Sequence, residues 1–405
     1  MAPPVVAAGQ EPVETHGFAE VAVASRFLDD PVISDDFVLA EARFRLDLSH
    51  FTDFAEFSFK GDLVADDVID DVVIDIRQAV ITLHVNQWSD VRAGRQVLTW
   101  GTGDLVFLND LFPKDFVSFF IGRDDEFLKA PSNSVKLSLY TGPVNLDAVW
   151  TPVFTPDRYI TGVRLSYFDP SVPGTVSAQS MGQPLTAALP PKTIENGEFA
   201  GRLYRTFGGY ELALYGYVGF TKQPLAFDPS LDVPTFSRLG AYGTSLRGTV
   251  ASGIGNLEGS YYDSVDDRAG TEPDVPNSQV RGLLGYEREL LANFTLGLQY
   301  FLQWNLDYDQ LIAASPTPQF EPDELQHTFT MRLTYRFRQE TMILSLFAYA
   351  SPSDEDTHLR PSFNYAWSDA VTIALGANIM AGNESGFFGQ LEQNSNIYGR
   401  LRYSF

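Results

Sequence analysis

The sequence contains no cysteine among its 405 residues. This absence excludes disulfide bonds, thiolate metal sites and covalent haem attachment by this chain. No stretch approaches the roughly eighteen apolar residues of a transmembrane helix. Basic residues are also in the minority, 28 against 52 acidic residues, which gives a formal net charge of −24. Nucleic acids are bound by basic surfaces, so no nucleic-acid partner is expected.

Groups that could carry catalysis are sparse. The five histidines, at positions 16, 50, 84, 327 and 358, show no metal-ligand spacing. Gly101-Thr102-Gly103 is too short for a phosphate-binding loop and no helix is expected after it. We therefore predict neither an enzyme, nor a metal centre, nor a bound cofactor.

Alternation of apolar and polar residues is the main signal that is present. In the last twelve residues, Ile397, Leu401, Tyr403 and Phe405 share one parity, while Arg400 and Arg402 lie on the other. This period of two is typical of a β-strand with one apolar and one polar face. The ending on Tyr403 and Phe405 resembles the C-terminal signal that the barrel-assembly machinery of the bacterial outer membrane reads.

The same alternation predicts an all-β fold. Eighteen candidate strands can be assigned: 17–27, 37–48, 53–64, 72–85, 89–100, 134–140, 144–154, 197–206, 210–220, 239–251, 254–264, 278–289, 293–308, 326–338, 341–351, 357–367, 370–380 and 394–405. Several polar faces carry two or three charges, which a packed core would not accept without partners. We therefore favour a single transmembrane antiparallel up-and-down β-barrel over a soluble sandwich, and expect the five tryptophans, Trp100 included, in its aromatic girdles.

The connections between these strands alternate between short and long. Outer-membrane barrels have short periplasmic turns and long extracellular loops, so both chain ends are expected in the periplasm. Residues 1–16 then form a periplasmic N-terminal extension, and residues 17–405 form the barrel. The extension has neither a basic start nor an apolar stretch, so we expect a mature chain without a signal peptide.

The polar parity predicts which side chains line the lumen. The predicted pore-lining residues are Glu41, Arg43, Arg45, Glu56, Lys60, Arg332, Arg336, Arg338, Arg360, Arg400 and Arg402. Ring closure would place the basic strands 2, 14, 16 and 18 along one sector of the wall. Two interpretations stay open: a field that selects solutes, or ion pairs on a wet wall that contribute little each.

Two long loops have distinct compositions. The loop 101–133 is rich in aromatic residues, whose exposure outside the barrel would be costly. We expect it to fold inward and constrict the lumen, with capping of the barrel mouth or contact with a partner as the rival interpretation. The residues assigned to this constriction are Phe107, Phe112, Lys114, Phe116, Phe119, Phe120 and Arg123. The loop 155–196 is rich in proline and small polar residues and is predicted to be a flexible extracellular flap.

Acidic residues concentrate in the long loops, including Asp124, Asp125 and Glu126. They predict an electronegative outer rim. Such a rim could bind Ca²⁺ or Mg²⁺ and contact lipopolysaccharide. The alternative, which we favour, is a solvated surface, because no segment has the ligand spacing of an EF-hand.

A family resemblance rests on three segments, Arg77–Leu83, Gly94–Gly101 and Asn109–Asp115. They resemble the first third of large Gram-negative porin-like barrels, such as phosphate-selective and alginate-export-type channels. The resemblance implies passage of a solute without naming it. Strand 4 changes phase after Ile76, which predicts a β-bulge. Arg95 departs from the parity of Arg92, so either a second bulge lies between them or one of the two arginines sits at the membrane interface.

The sequence therefore predicts an outer-membrane channel with a water-filled lumen for small polar or charged solutes. The expected partners are outer-membrane lipid, lipopolysaccharide, the barrel-assembly machinery and small solutes, and a homotrimer is one possible assembly. The alternative is a barrel sleeve around a periplasmic partner, for example a multihaem cytochrome in an electron conduit. A third option is an outer-membrane enzyme.

Overall fold

The computed structural model describes residues 12–172 and 174–405, and in it one antiparallel sheet of 18 strands closes on itself. Each strand pairs with the next along the chain, and the first also pairs with the last. The barrel strands are β1 (Glu14–Arg26), β2 (Phe37–Phe51), β3 (Ala55–Asp66), β4 (Asp71–Asn86), β5 (Ser89–Gln96), β6 (Ser132–Tyr140), β7 (Asn145–Thr151), β8 (Glu198–Phe207), β9 (Tyr210–Phe220), β10 (Arg238–Val250), β11 (Gly253–Ser264), β12 (Gln279–Leu291), β13 (Phe294–Asn305), β14 (Leu325–Phe337), β15 (Met342–Ser351), β16 (Asp356–Ala366), β17 (Val371–Gly382) and β18 (Asn396–Ser404). The predicted eighteen-stranded barrel is confirmed.

Short helices and hairpins lie in the long connections. The α-helices are Phe116–Ile121, Ala178–Met181 and Tyr308–Ala314, and the 3₁₀-helices are Asp125–Leu128, Ile194–Asn196, Pro318–Phe320 and Gly389–Asn394. Two small hairpins pair Tyr167–Asp169 with Gly174–Val176 and Ala226–Asp228 with Val233–Thr235. No helix among the described residues is long and apolar enough to cross a membrane.

The surface of this barrel is inverted relative to a soluble protein. In β2, Phe44 is 46% exposed, whereas its neighbours Arg43 and Arg45 are each only 4% exposed. Large apolar side chains on the outside of a barrel face lipid, and the polar parity faces the interior. The alternation read in the sequence therefore separates the two faces correctly.

A β-bulge accounts for the phase change in strand 4. Lys60 pairs with Gln78, but Gly61 pairs with Ile76, so Arg77 is the extra residue. The predicted bulge is confirmed here. Of the two alternatives for Arg92 and Arg95, the bulge between them is wrong, because β5 pairs with β6 without interruption through both residues.

Several strand ends differ from the prediction, and two of the differences change which residues belong to the barrel wall. β1 begins at Glu14, so residues 14–16 belong to the barrel wall and not to an extension; residues 1–11 of that extension lie outside the described residues. β5 ends at Gln96, and the chain leaves the wall four residues earlier than expected. The connection that follows therefore spans 97–131.

The seam between β1 and β18 is closed at its periplasmic end by Phe405. The backbone N–H of Gly17 donates to the carbonyl of Phe405, and that of Phe405 donates to Gly17, both at 3.0 Å. A Cβ on Gly17 would collide with the carbonyl oxygen of Arg45 and with the Phe405 ring, so only glycine fits. The ring stacks on Phe44 with centroids 5.8 Å apart.

Candidate functional site

The connection 97–131, called the inserted loop below, lies inside the barrel and contacts its wall on several sides. Glu258 of β11 accepts from the backbone N–H of Gly103 at 2.9 Å and from the Thr102 hydroxyl at 2.7 Å. On another side, Asn378 and Asn396 donate to the carbonyl of Phe120 at 3.1 and 2.9 Å. The wall therefore holds the loop by specific hydrogen bonds, not by apolar contact alone.

Aromatic packing holds the helix Phe116–Ile121 of the inserted loop against the wall. The Asp115 carboxylate caps its N-terminus by accepting from Ser118 N at 2.8 Å, and Gly122 ends it with φ 86°. Phe119 and Phe120 are buried in a cluster with wall residues of β1, β2, β15, β17 and β18. Burying one such side chain stabilises by about 1.5–3 kcal/mol.

The other side chains assigned to the constriction also lie in this interior. Phe112 packs edge-on against Trp100 with centroids 4.9 Å apart. The Lys114 ammonium donates to the carbonyl of Phe112 at 2.6 Å and lies 4.7 Å from the ring centre of Phe107. Phe116 contacts Phe387, and Arg123 pairs with Glu41 at 2.8 Å and lies 3.6 Å from Asp66. The loop folds inward; whether it limits solute passage remains a prediction.

A basic sector on β2, β14, β16 and β18 meets acidic residues of the inserted loop. We call residues 124–126 the acidic turn. The ion pairs between loop and wall are Asp104–Arg332, with Arg332 Nη2 2.8 Å from Asp104 Oδ1, Asp124–Arg400 at 3.2 Å, Asp125–Arg360 at 2.7 Å, Glu126–Arg45 at 2.8 Å and Glu126–Arg402 at 3.5 Å. The two signs of charge therefore touch and do not face each other across an open bore.

Within these pairs the carboxylates are more exposed to solvent than the arginines. The Asp125 side chain is 50% exposed while that of Arg360 is 8% exposed, and Glu126 is 35% exposed while Arg45 is 4% exposed. Burial disfavours ionised Asp125, but the charge and hydrogen bond of Arg360 outweigh it and hold its pKa below the ordinary value. The expectation that the acidic turn belongs to an outer rim is wrong, because the inserted loop carries it into the interior.

The remaining predicted pore-lining residues divide into three groups. Arg43 lies between Asp62 and Glu41 at 2.7 and 2.8 Å, and is buried. Lys60 pairs with Asp47 at 2.9 Å, and Glu56 accepts from Ser58 at 3.1 Å. Arg336 is half-buried on β14.

Arg338 is misplaced in the prediction, because β14 ends at Phe337 and Arg338 adopts φ 50° in the following turn. The chain reverses direction there, so Arg338 cannot continue the inward parity of β14.

The connection 152–197 also crosses the barrel mouth. Arg158 pairs with Asp75 of β4 at 2.8 Å and with Asp115 of the inserted loop at 3.1 Å. Further along, Arg164 pairs with Asp66 of β3. We call residues 155–166 the crossing segment. The predicted flexible flap is thus held in this part by ion pairs to the barrel wall and to the inserted loop.

One carboxylate joins the crossing segment to the inserted loop. Asp157 accepts from the backbone N–H of Lys114 at 2.7 Å, and its own N–H donates to the carbonyl of Lys222 at 2.8 Å. Burial raises the pKa of Asp157 to about 6, despite the opposing charges of Lys114 and Lys222.

Several interior residues were missed by sequence reasoning. Arg77 donates to the carbonyls of Glu126 and Lys129 at 3.0 and 2.7 Å, because the bulge turns it inward. Arg158 and Arg164 lie in a segment without periodicity, so no pattern indicated them. Trp100 was expected in a girdle, but it packs against Phe112 and Tyr215 inside the barrel.

Metal binding at the acidic loops remains a prediction. Across 12–172 and 174–405, no group of three or more histidine, aspartate or glutamate side chains is arranged to hold a metal ion.

Comparison with solved structures supports the fold. The chain aligns with OccD3 (OpdP) of Pseudomonas aeruginosa at TM-score 0.57 and 10% identity, covering 98% of this chain and 92% of that one. It aligns with OccAB1 of Acinetobacter baumannii at TM-score 0.56 and 8% identity, covering 98% and 96%. It aligns with OccK11 (OpdR) of Pseudomonas aeruginosa at TM-score 0.56 and 10% identity, covering 97% of this chain and 95% of that one. No protein-family model and no curated protein sequence matches the chain.

The closed eighteen-stranded barrel, with large apolar side chains on its outside, has the architecture of bacterial outer-membrane β-barrels. At these identities, the neighbours share the architecture of this chain and establish nothing finer.

Proposed function

We propose that this chain is a porin-like channel that passes small polar or charged solutes through a lumen narrowed by the inserted loop. The observation that carries the proposal is the attachment of that loop to the inside of an eighteen-stranded wall by ion pairs and hydrogen bonds. Barrels of about 16–18 strands are wide enough for an aqueous channel. A loop fixed inside such a barrel would narrow its bore.

The charges suggest that cations pass more readily than anions. The exposed partner in the ion pairs of the acidic turn is a carboxylate, and the arginines lie behind it. Ions in a narrow lumen respond to the charges that face the water. The basic sector is therefore screened, and we do not propose an anion preference.

The sleeve hypothesis is disfavoured by the same geometry. A partner protein inside the barrel would have to displace the inserted loop, whose Phe120 and Ile121 are almost fully buried against the wall. Catalysis is not proposed, since the architecture is shared with channels and no motif points to a reaction.

Conductance in planar bilayers tests the proposal. Purified protein should give discrete current steps and a reversal potential in a KCl gradient that shows cation preference. The chain has no cysteine, so a single Asp125→Cys variant can be labelled by a positively charged thiosulfonate reagent without background. Labelling should change the current, while an Asp67→Cys control in the β3–β4 connection should not. Absence of current at every voltage would refute the channel.

A further inference from the structure

A second polar surface lies beside the basic sector, with which it shares β14. It borders a cavity of about 770 Å³ that opens above residues 105–116 of the inserted loop. Strands β10 to β16 form the wall of this cavity at their extracellular ends. Its volume is in the range of about 300–1,000 Å³ that is usual for ligand pockets.

Four amide side chains form a patch on this wall. Gln279 of β12 is opposite Asn305 of β13, and Gln303 of β13 is opposite Gln326 of β14. All four line the cavity and belong to the inward parity. We call these four residues the amide patch. Adjacent amides on three neighbouring strands present donors and acceptors side by side.

The hydrogen bonds within the patch leave part of its capacity unused. Gln303 donates to Gln326 at 2.7 Å and to Asn305 at 3.3 Å, and Gln326 donates to Asp354 at 3.0 Å. Each amide has two N–H donors and a carbonyl acceptor. Among the bonds between described residues, the carbonyl oxygen of Gln303 and one N–H of Gln326 therefore stay available to a solute.

The charged groups around the cavity are occupied by other partners. Lys114 pairs with Asp110 at 3.0 Å, and Arg281 donates to Gln279 at 2.6 Å while its guanidinium stacks on Tyr262 at 4.0 Å. The carboxylate of Asp356 accepts from the backbone N–H of Phe388 at 2.6 Å. Carboxylates and basic side chains both line the cavity, so a charged solute of either sign would meet groups of like charge, which a neutral solute would not.

An apolar surface adjoins the amides. Phe301 precedes Gln303 by two residues on the same face of β13 and also lines the cavity. The C–H faces of a sugar ring pack on aromatic side chains, and its hydroxyl groups both donate and accept hydrogen bonds. Amides beside an aromatic ring suit this combination of groups.

We propose that the cavity binds neutral polyhydroxylated solutes, such as short saccharides, at the amide patch and Phe301, on the extracellular side of the inserted loop. This proposal rests on the proposed channel function and adds its substrate class. The amide patch provides the hydrogen bonds, and Phe301 provides the ring contact.

Current block tests the proposal with maltotriose as the neutral probe and trigalacturonate as a charged trisaccharide of similar size. Maltotriose added to the extracellular side should interrupt the current reversibly, and trigalacturonate should do so more weakly. The double variant Gln303→Leu, Gln326→Leu should weaken the maltotriose block about tenfold, because two hydrogen bonds are lost. Phe301→Leu should weaken it independently.

The control is Gln310→Leu on the exposed face of the helix Tyr308–Ala314, outside the cavity lining, which should be blocked like the wild type. A wild-type channel that conducts but is not blocked by maltotriose, or is blocked equally by trigalacturonate, would overturn the saccharide proposal and leave the channel intact. A protein that never conducts would overturn both. The wild-type comparison needs no variant to fold.

Discussion

Two sectors of the barrel wall use polar residues in different ways. One is the basic sector on β2, β14, β16 and β18, and the other is the amide patch on β12 to β14. The first carries arginines that are buried behind the acidic turn. The second carries uncharged amides with hydrogen-bonding capacity to spare. Charge on the first sector thus holds the inserted loop, and we propose that the uncharged amides of the second meet solutes.

Neutralising the acidic turn is expected to have the largest effect, because it exposes the arginines of the basic sector to the lumen. The variant Asp124→Asn, Asp125→Asn, Glu126→Gln removes three carboxylates and uncovers the charges of Arg45, Arg360 and Arg400. The cation-to-anion permeability ratio should fall several-fold and can invert. Reversal potentials in a KCl gradient measure it.

The matched control changes the same number of charges outside the lumen. Asp67→Asn, Asp70→Asn, Asp71→Asn alters the β3–β4 connection and the first residue of β4. It should leave the ratio near the wild-type value. Equal shifts in both triple variants would mean that net charge, and not the acidic turn, sets selectivity.

A single carboxylate plays the corresponding anchoring role on the opposite wall. Glu258 is buried, and it accepts from Thr102, Gly103 and Asn109 of the inserted loop. Glu258→Gln turns an amide N–H toward these donors, so we expect a loss of about 1–3 kcal/mol in the free energy of unfolding. Urea unfolding in detergent measures this loss, and single-channel conductance should rise as the loop loosens.

Glu287→Gln is the control for that substitution, because Glu287 lies on β12 and is exposed. It changes the net charge equally but anchors no part of the inserted loop. Stability losses of the same size in both variants would argue against Glu258 as an anchor.

The smallest expected effect concerns pH at the junction of the two loops. The pKa of Asp157 is raised to about 6, so between its ordinary value and pH 6 the folded protein holds a proton that the unfolded chain has released. The stabilisation from Asp157 is present at low pH and is lost as pH rises through about 6.

Asp157→Asn should remove the pH-dependent contribution of Asp157 to stability. The free energy of unfolding of this variant, relative to that of the wild type, should therefore increase between pH 4 and pH 7. Urea unfolding at several pH values measures the difference. Asp169→Asn, in the same connection, should run parallel to the wild type. Parallel curves for Asp157→Asn would contradict the assignment.

The barrel could be predicted because its signal is local. Alternation in β2 or β18 follows directly from a wall with lipid on one side, and strand pairing adds little to it. Strand ends were less predictable: β5 leaves the wall at Gln96, although apolar residues continue as far as Trp100. Such exits depend on contacts made elsewhere in the chain.

The interior was predicted only in part for the same reason. The aromatic residues of the inserted loop indicated that it folds inward, because apolar groups avoid water. The location of the acidic turn was predicted wrongly, because a carboxylate is stable both on a solvated rim and in an ion pair with an arginine. Its partner Arg360 is 235 residues away in the chain, and no spacing rule relates the two.

That separation also bears on the order of folding. The inserted loop comes early in the chain, yet Asp125 pairs with Arg360 and the Phe120 carbonyl is held by Asn396, 276 residues later. Contacts so distant in sequence form late, because closing long segments is entropically costly. An assembly intermediate without its last strands therefore lacks the wall residues that hold this loop. The lumen reaches its final shape only when the barrel has closed.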